Sequence, residues 1–458
     1  MIRVDSRRVE KGDTFVALRG ISSDGHSYIE KAIENGASKI IAEEGNYNVE
    51  TIIVEDTRKY LTDYLNEKYK EMLNDMILIG ITGTNGKTTS AYLIYQALNK
   101  IGIKCSYIGT IGFYMDKKIS NLPNTTPDIL ELYEMFIESY DNGYKHVVLE
   151  VSSQAISYKR IDKILFDYSI FTNLTQDHLD YHKSMKNYAL AKKQLFMQIK
   201  ENGKAIINKD DKNNHYFILN QNNNIFYGIN NGDIKIKNYL MSSNGTLLKY
   251  LYKNELYETF TSLIGKYNIY NILLTITLLI ELNVPLNEIN KVIPELKSPS
   301  GRMDKIDYNG NTIIIDYAHT PDAMENIVST VKEVNHNNIY IVFGCTGDRD
   351  RTKRSIMTKY ALNNSKKVII TNDDPHNEDP NQIINDMLEN NDLINYEICL
   401  DRSKAIQKGI DLLKENDILL ILGKGHEEYM IVGNEKIPFS DMKEVEKYLK
   451  EKVSIKNI

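Results

Sequence analysis

A glycine-rich segment followed by a lysine and two threonines is the part of the sequence best suited to chemistry. It reads Ile79-Gly-Ile-Thr-Gly-Thr-Asn-Gly-Lys-Thr-Thr89 and lies between an apolar strand and a helical run. Backbone N–H groups near Gly83 and Gly86, aimed from a helix N-terminus, can cradle phosphate oxygens. Lys87 would meet the β and γ phosphates, and the Thr88 hydroxyl would bind Mg²⁺. The first glycine of the usual G-x-x-x-x-G-K-[ST] pattern is replaced by isoleucine, but the order of elements predicts a site for ATP or a similar nucleotide.

A carboxylate inside an apolar strand is the second chemical signal. The segment Val147-Val-Leu-Glu-Val151 places Glu150 among aliphatic residues. Burying a carboxylate costs free energy unless the group is paired or holds a metal. Near a phosphate loop, the expected role of Glu150 is Mg²⁺ coordination beside Thr88, with a structural ion pair as the alternative.

Two histidines and two aspartates follow a later strand, in Phe171-Thr-Asn-Leu-Thr-Gln-Asp-His-Leu-Asp-Tyr-His182. Such a group suits a metal or phosphate site, although similar clusters also cap loops. The segment from Tyr188 to Phe196 repeats apolar residues at helical spacing. Its Lys192 and Lys193 would ordinarily be solvated surface lysines.

Composition favours a large soluble enzyme of two or three domains. The 458 residues carry a net charge of −6, which gives no reason to expect nucleic acid or an anionic membrane as partner. Cys105, Cys345 and Cys399 lack metal-type spacing, so a disulfide framework is not expected and a reducing cytosol fits. The sequence has no apolar signal core and no long uncharged run. We therefore expect a cytoplasmic protein, with a monomer as the default.

The alternation of strands and helices predicts an α/β fold of three domains. Residues 1–75 would form a small α/β domain, residues 76–297 a central parallel sheet of the P-loop ATPase type, and residues 298–458 a Rossmann-like domain. Short polar strands between residues 220 and 263 would form a hairpin insertion at the sheet edge. The polar residues above follow strand ends, which is where open α/β sheets place their sites. The main buried strands are predicted at Met76 to Ile81, Lys145 to Val151, Tyr168 to Asn173, Thr312 to Asp316, Ile339 to Phe343, Lys367 to Thr371 and Ile418 to Leu422.

Motifs spread over nearly the whole chain resemble the Mur ligase family. Within it, they are similar to the UDP-N-acetylmuramoyl-tripeptide synthetases, which add the third, diamino residue of the peptidoglycan stem. The motifs are Thr82-Gly-Thr-Asn-Gly-Lys-Thr-Thr89, Asn124-Thr-Thr-Pro127, Glu150-Val-Ser-Ser153, Asn173-Leu-Thr-Gln-Asp-His-Leu-Asp180, Tyr188-x-x-Ala-Lys192, Gly301-Arg-Met303, Asp316-Tyr-Ala-His-Thr-Pro-Asp322, Phe343-Gly-Cys-Thr-Gly-Asp-Arg-Asp350 and Gly423-Lys-Gly-His-Glu427.

The resemblance implies roles for individual residues. Thr88 and Glu150 would hold one Mg²⁺, and His178 and Lys192 would serve a second. Lys192 would carry a carbamate formed from CO₂, because an ammonium cannot ligate a cation whereas a carbamate presents two oxygens. The implied catalytic residues are Lys87, Glu150, His178 and Lys192. The implied ATP-binding residues are Gly83, Thr84, Asn85, Gly86, Lys87, Thr88, Thr89, Asn268, Arg302 and Asp316.

The UDP-sugar dipeptide would lie against a second set of residues. Two departures from the family pattern affect this set: the chain begins almost at Asp5, without the leading helix and strand that such proteins commonly carry, and Tyr158 stands where relatives often have Gln. The uridine contacts are therefore the least constrained by the resemblance. The implied residues are Ser6, Ser22, Ser23, Asn124, Thr125, Thr126, Ser152 and Arg160.

The implied reaction is an ADP-forming amide synthesis. ATP would phosphorylate the terminal carboxylate of the bound dipeptide, and an amine would then attack the acyl phosphate and release phosphate. Because an acyl phosphate hydrolyses readily, closure of the third domain over the central one would exclude water.

The amino acid to be added should be decided at Asp373-Asp-Pro-His376. Relatives that add meso-diaminopimelate typically carry Asp-Asn-Pro-Arg, whose Arg binds the distal carboxylate bidentately. His376 cannot form this fork and Asp374 adds negative charge, so L-lysine or L-ornithine is expected. Diaminopimelate stays the alternative. The implied amino-acid-binding residues are Arg349, Asp373, Asp374, His376, Gly423 and Glu427.

Three rival functions are less consistent with these motifs. A folylpolyglutamate synthetase should lack the Asn124–Pro127 and Asp316–His319 motifs. A catalytically inactive nucleotide-binding regulator should have lost Lys87, Glu150, His178 or Lys192, all of which are present. An amide ligase of secondary metabolism would share the same chemistry and stays open.

Overall fold

The fold is α/β, as the sequence predicts, and it contains three large β-sheets. We describe a computed structural model of residues 1–20, 23–219, 223–242, 245–392 and 394–456. A sheet of 4 strands lies in the N-terminal part, one of 11 strands in the centre and one of 6 strands in the C-terminal part.

The N-terminal sheet is parallel, in the order β1-β2-β3-β4. Phe15 and Ile40 on its strands pack against Ile29 and Ala32 of the first helix. The second helix begins after Asp56, whose carboxylate accepts a hydrogen bond from Lys59 N and caps the first turn. The elements are β1 (Ile2–Arg3), β2 (Thr14–Val16), α1 (Ile29–Glu34), β3 (Lys39–Ala42), β4 (Glu50–Ile53), α2 (Thr57–Lys68) and α3 (Lys70–Asp75).

The central sheet has a parallel middle and antiparallel edges. Its elements are β5 (Ile77–Thr82), α4 (Lys87–Lys100), β6 (Cys105–Gly109), β7 (Gly112–Tyr114), β8 (Lys118–Ser120), α5 (Ile129–Asp141), β9 (His146–Glu150), α6 (Ser153–Ser157), β10 (Phe166–Phe171), α7 (Leu179–His182), α8 (Met185–Met197), β11 (Ile199–Asn208), β12 (Asn224–Gly228), β13 (Ile234–Ser242), β14 (Gly245–Tyr252), β15 (Glu255–Thr261), α9 (Lys266–Glu281) and α10 (Leu286–Val292).

The strand order is β15-β14-β13-β12-β11-β10-β5-β9-β6-β7-β8, with β5 between β10 and β9. Alternate residues of β5 enter different cores: Ile79 and Ile81 belong to one hydrophobic cluster and Leu78 to the other. The strand is therefore buried on both faces, as its continuous apolar sequence predicts. The antiparallel β13, β14 and β15 form the predicted insertion at one edge, while Asn220 lies outside the described residues.

The C-terminal sheet has the order β16-β17-β21-β18-β19-β20, and only β16 is antiparallel to its neighbour. Helices cover both faces. The elements are β16 (Asp304–Tyr308), β17 (Asn311–Asp316), α11 (Pro321–Lys332), β18 (Ile339–Phe343), α12 (Thr352–Asn363), β19 (Lys367–Ile370), α13 (Pro380–Leu388), β20 (Tyr396–Ile398), α14 (Arg402–Leu412), β21 (Ile418–Leu422), β22 (Tyr429–Val432), β23 (Glu435–Pro438) and α15 (Asp441–Lys456).

The predicted boundaries after residues 75 and 297 fall between α3 and β5, and between α10 and β16. The exact division of the chain into domains stays a prediction. Among the residues that the structure describes, no helix combines the length and hydrophobicity needed to cross a bilayer.

Candidate active site

The phosphate loop joins β5 to the N-terminus of α4. Gly83 and Gly86 have φ angles of 149° and 84°, and Gly86 is the residue immediately before the helix. A Cβ atom at position 83 would lie 1.9 Å from Thr172 Oγ1, so only glycine fits there. The Lys87 ammonium donates to the carbonyl oxygens of Gly83 and Thr84, both at 2.9 Å. Burial lowers the pKa of Lys87, while the charge of Glu150 opposes this shift.

A neighbouring strand end holds the loop in place. Asn173, which follows β10, accepts hydrogen bonds from Thr84 N through its carbonyl oxygen (2.8 Å) and from Asn85 N through its side chain (2.9 Å). The Asn85 amide donates to Asp322 Oδ2 at 2.6 Å, and Asp322 lies in the first turn of α11. The phosphate loop is thus joined directly to the C-terminal part of the chain.

Glu150 is completely buried at the end of β9. Its Oε2 accepts from the hydroxyls of Thr88 (2.8 Å) and Thr110 (3.1 Å). Its Oε1 accepts from Thr110 N (3.0 Å) and from the Tyr107 hydroxyl. The predicted metal ligands Thr88 and Glu150 are therefore in contact, and the donors around them are uncharged.

Lys192 is buried, with only 1% of the residue exposed, so it is not the surface lysine that its sequence context suggests. Its ammonium donates to Gly83 O at 2.8 Å and lies 4.5 Å from the centre of the Tyr188 ring. Burial lowers the pKa of Lys192 well below its ordinary value, and the nearby Lys87 charge lowers it further. The Lys192 amine is therefore in direct contact with the phosphate loop.

His178 lies beside Asp177, with Nε2 at 3.4 Å from Asp177 Oδ2. Burial lowers the pKa of His178, against the effect of the Asp177 charge. Burial raises the pKa of Asp177, but the charges of His178, Lys353 and His319 outweigh this effect and hold the value at about 2. The buried carboxylate of Asp177, which stays ionised, thus lies near both His178 and Lys192, the predicted ligands of the second metal ion.

A cavity of about 330 Å³ separates the phosphate loop and α9 from the C-terminal part of the chain. Two buried polar atoms in its lining residues, Arg302 Nε and Tyr267 Oη, have no hydrogen-bond partner in the described structure. Arg302 stacks on the Tyr317 ring at 4.6 Å. Burial raises the pKa of Asp316 to about 6. The predicted ATP-binding residues on the cavity wall are Asn85, Gly86, Thr89, Asn268, Arg302 and Asp316.

The residues predicted to bind the UDP precursor fall into two groups. Thr126 accepts from Ser152 N (3.1 Å) and donates to Glu150 O (2.8 Å), and its carbonyl accepts from Arg160 (2.9 Å). The neighbouring Thr125 hydroxyl lies 3.1 Å from that of Thr110, and Asn124 is exposed close by in the sequence. This group therefore lies next to the metal ligand Glu150.

The other group belongs to the N-terminal part of the chain. Ser6 is buried in a short 3₁₀ helix, where its carbonyl accepts from Asn35 (2.8 Å). Ser23 is exposed, and its carbonyl accepts from Gly20 N (3.0 Å). Ser22 lies outside the described residues.

The residues predicted to bind the amino acid follow the carboxyl ends of β18, β19 and β21. Lys424 is fully buried, and its ammonium lies 2.8 Å from Asp374 Oδ1, 2.8 Å from Glu427 Oε2 and 3.8 Å from Asp373 Oδ1. Asp374 Oδ1 also accepts from Ile431 N at 2.8 Å. Asp374 is therefore paired within the protein, but it shares Lys424 with Glu427.

The titration of this group reflects its burial. Burial raises the pKa of Glu427 to about 7, although Lys424 opposes the shift. Burial also raises the pKa of Asp373. Gly423 has a φ angle of 115°, and a Cβ there would lie 2.3 Å from Asp373 Oδ2. Three carboxylates share one lysine, so the group favours an additional cation such as a ligand ammonium.

His376 and Arg349 lie on two loops that pack together. His376 has a φ angle of 50°, and its backbone bonds to Ile431 O and Gly433 N of the β22–β23 hairpin. Gly347 N donates to Asp374 O at 2.8 Å, which joins the loop after β18 to the loop after β19. Arg349, two residues further on, is exposed and free to meet a ligand.

Sequence reasoning missed several residues of this site. Tyr107 lies in the middle of the buried strand β6 and Thr110 follows the strand, and the only available signal was a polar side chain in or beside an apolar strand. Lys424 lies in the same motif as its partner Glu427, but its other two partners, Asp373 and Asp374, come from a separate segment. Asp322, Asn271 and Tyr267 reach the nucleotide cavity only through the packing of α9 and α11.

Comparison with known proteins identifies the family. The chain matches the Mur ligase family, catalytic domain over residues 1–76, the Mur ligase middle domain over 81–279 and the Mur ligase, glutamate ligase domain over 301–425. The chain belongs to the Mur ligase family and is an ADP-forming ligase.

Its relatives carry a more particular name. UDP-N-acetylmuramoyl-L-alanyl-D-glutamate–2,6-diaminopimelate ligase from Clostridium botulinum is 40% identical over 98% of this chain and 95% of its own length. The enzyme of that name from Fusobacterium nucleatum is 38% identical over 100% of this chain and 95% of its own length. A solved structure of a ligase of the same name is 30% identical and superposes with a TM-score of 0.68, covering 98% of this chain and 94% of the other. These names favour diaminopimelate, the alternative above, and do not support the expected preference for lysine or ornithine.

Proposed function

We propose that this ligase joins meso-diaminopimelate to UDP-N-acetylmuramoyl-L-alanyl-D-glutamate during the synthesis of peptidoglycan precursors, with ATP cleaved to ADP and phosphate. The observation that carries the proposal is the identity over almost the full chain to relatives named for this reaction. The proposal is supported by the phosphate loop, by the cavity beside it and by the buried carboxylates around Lys424.

The nucleotide cavity suits ATP because its unpaired donors match a polyanion. Backbone N–H groups at the N-terminus of α4 and the ammonium of Lys87 would bind the phosphates. Arg302 would approach them from the C-terminal side, and Asp316 would accept from the ribose hydroxyls. Mg²⁺ beside Thr88 and Glu150 would neutralise charge on the phosphates during transfer.

Lys192 is suited to carry a carbamate. A buried amine that donates to only one carbonyl can lose its proton more readily than a solvated lysine, and only the neutral amine attacks CO₂. The product would place two oxygens near the phosphate loop, where His178 could share a second Mg²⁺. The burial of Lys192 supports this assignment.

The proposed use of diaminopimelate has to be reconciled with the negative charge of Asp374 and with His376, which stands where an arginine is typical. The negative charge of Asp374 is occupied by Lys424 and Ile431 N, so it does not oppose a distal carboxylate of the substrate. Arg349 is the exposed cation on the adjoining loop, and its guanidinium would bind that carboxylate. Asp373 and Glu427 would accept from the distal ammonium. The argument from sequence counted the charge of Asp374 but could not include its pairing with Lys424.

Contacts across the cleft would help to exclude water from the acyl phosphate. Asp322 meets Asn85, and Thr352 at the start of α12 accepts from Gln176 at 3.2 Å. Both contacts join the C-terminal part to loops that carry predicted phosphate or metal ligands. Closure would therefore complete the site around the reacting groups.

The proposal is tested by following ADP release from the purified protein with the substrates supplied singly and together. We expect sustained ADP release only when UDP-N-acetylmuramoyl-L-alanyl-D-glutamate and meso-diaminopimelate are both present. Mass spectrometry should show the UDP-tripeptide as product. Comparable release with a folate and glutamate, and none with the UDP-dipeptide, would overturn the proposal. The monomeric state and the cytoplasmic location stay predictions.

A further inference from the structure

We infer that Tyr107 is a positioning residue for Glu150, and that its hydroxyl fixes the carboxylate so that one oxygen faces Thr88 for Mg²⁺. The inference rests on the proposed function in one respect, the placement of Mg²⁺ beside Thr88 and Glu150. It adds a residue that has no direct contact with nucleotide or metal.

The donors around Glu150 divide its two oxygens by role. Oε1 receives the Tyr107 hydroxyl and Thr110 N, the latter at 3.0 Å. Oε2 receives the hydroxyls of Thr88 at 2.8 Å and Thr110 at 3.1 Å. Oε2 therefore faces the phosphate loop, and Oε1 is held on the far side by donors that a metal need not displace. Rotation of the carboxylate would break all four hydrogen bonds.

The charge of Glu150 remains available to a cation. In the described part of the chain, Glu150 has no ion-pair partner, and its four hydrogen bonds come from uncharged groups. Neutral donors stabilise a buried carboxylate without cancelling its charge. By contrast, Asp374 and Glu427 are bound to Lys424. Glu150 therefore carries a charge that no lysine or arginine of the described residues pairs, which suits it to bind a metal.

The surroundings hold Tyr107 rigidly in this position. The residue is fully buried, and its ring packs edge-on against Tyr92 at 5.9 Å and Tyr114 at 5.7 Å. A Cβ at Gly109 would lie 2.3 Å from Glu150 Oε1 and 2.5 Å from the Tyr107 hydroxyl. The absence of a side chain at position 109 therefore leaves room for this one contact.

The test compares Tyr107→Phe with Tyr95→Phe. Tyr95 belongs to the same ring cluster, 6.2 Å from Tyr107, but its hydroxyl donates to Met115 O and not to Glu150. Mn²⁺ binding to the ADP-saturated protein would be measured by EPR, with thermal unfolding recorded for each variant. Loss of a hydrogen bond that orients a metal ligand typically lowers metal affinity at least tenfold.

We expect Tyr107→Phe to raise the Mn²⁺ dissociation constant about tenfold, while Tyr95→Phe leaves it near the wild-type value at a similar unfolding temperature. Equal affinities in wild type and Tyr107→Phe would overturn the inference. If Tyr107→Phe does not fold, Gly109→Ala disturbs the same contact and should weaken Mn²⁺ binding in its place; unchanged affinity there would also overturn it. No UDP-peptide or amino acid enters this experiment, so its failure is distinguishable from failure of the proposed substrate.

Discussion

Individual residues of the site depend on burial that the sequence shows only in part. Lys192 and Lys193 are adjacent lysines of one helix, but Lys192 is 1% exposed and bonds to the phosphate loop. Glu150 could be recognised from the sequence, because a carboxylate in an apolar strand is costly to bury unless it is paired or binds a metal. The environment of Asp374 could not be predicted, because its partners Lys424 and Ile431 come from a strand end and a hairpin that lie 50 and 57 positions away in sequence.

At the residue scale, we expect Lys192→Ala to lower turnover about a hundredfold or more, because metal ligands cannot be replaced by a methyl group. Lys193→Ala, which leaves the buried amine intact, should retain nearly wild-type turnover. Added bicarbonate should not restore Lys192→Ala. In ¹³C NMR with labelled bicarbonate, a carbamate signal should be present in wild type and missing from this variant. Wild-type turnover in Lys192→Ala would contradict the carbamate assignment and would leave Lys192 with a structural role only.

At the scale of elements, the loop after β18 is fixed by one carboxylate. Glu378 accepts from Asp348 N at 2.6 Å, from Arg351 at 3.0 Å and from Arg354 at 2.9 and 3.0 Å. These bonds flank Arg349, so Glu378 orients the loop that we propose binds the distal carboxylate. The hydrogen bond from Arg354 is the main reason that the pKa of Glu378 falls to about 2.

This lowered pKa gives a prediction about stability. The stabilisation by ionised Glu378 is complete above its ordinary pKa of about 4.5 and is lost as the pH falls towards 2. Glu378→Gln should therefore unfold at a lower temperature at pH 7, and its unfolding temperature should depend less on pH between these values. Glu389→Gln, at an exposed position just after α13, is the control. Equal pH dependence in wild type and Glu378→Gln, measured by thermal unfolding, would contradict the assignment.

Most of the buried parallel strands were predictable from their apolar sequences. β9, β10, β17, β18, β19 and β21 all overlap the predicted ranges. The short edge strands β7, β8, β22 and β23 were not predicted, because they are defined by pairing with a neighbour more than by their own hydrophobicity. The first six residues of β11 include Lys200, Glu201 and Lys204, so this part lacks the pattern of a buried strand although it pairs with β10.

At the scale of the whole molecule, the site is assembled from loops of two sheets. The central sheet supplies the phosphate loop, Glu150 and the Asp177–His178 segment, and the C-terminal sheet supplies Arg302, Asp316 and the amino-acid group. Contacts such as Asn85 to Asp322 bring the two together. The motifs predicted the members of this assembly from sequence, but the distances between them depend on how the parts pack. The choice of amino acid depends on this packing most of all.

The most direct test of the account is to measure kcat/KM for meso-diaminopimelate, L-lysine and L-ornithine with the UDP-dipeptide and ATP held constant. Leaving the guanidinium of Arg349 without a distal carboxylate should cost about 2 kcal/mol, so wild type should prefer diaminopimelate by roughly thirty-fold. Arg349→Gln should lose most of this preference, while Arg351→Gln, whose parent side chain pairs with Glu378, should keep it. A wild type that uses lysine or ornithine as well as diaminopimelate, or better, would contradict the account.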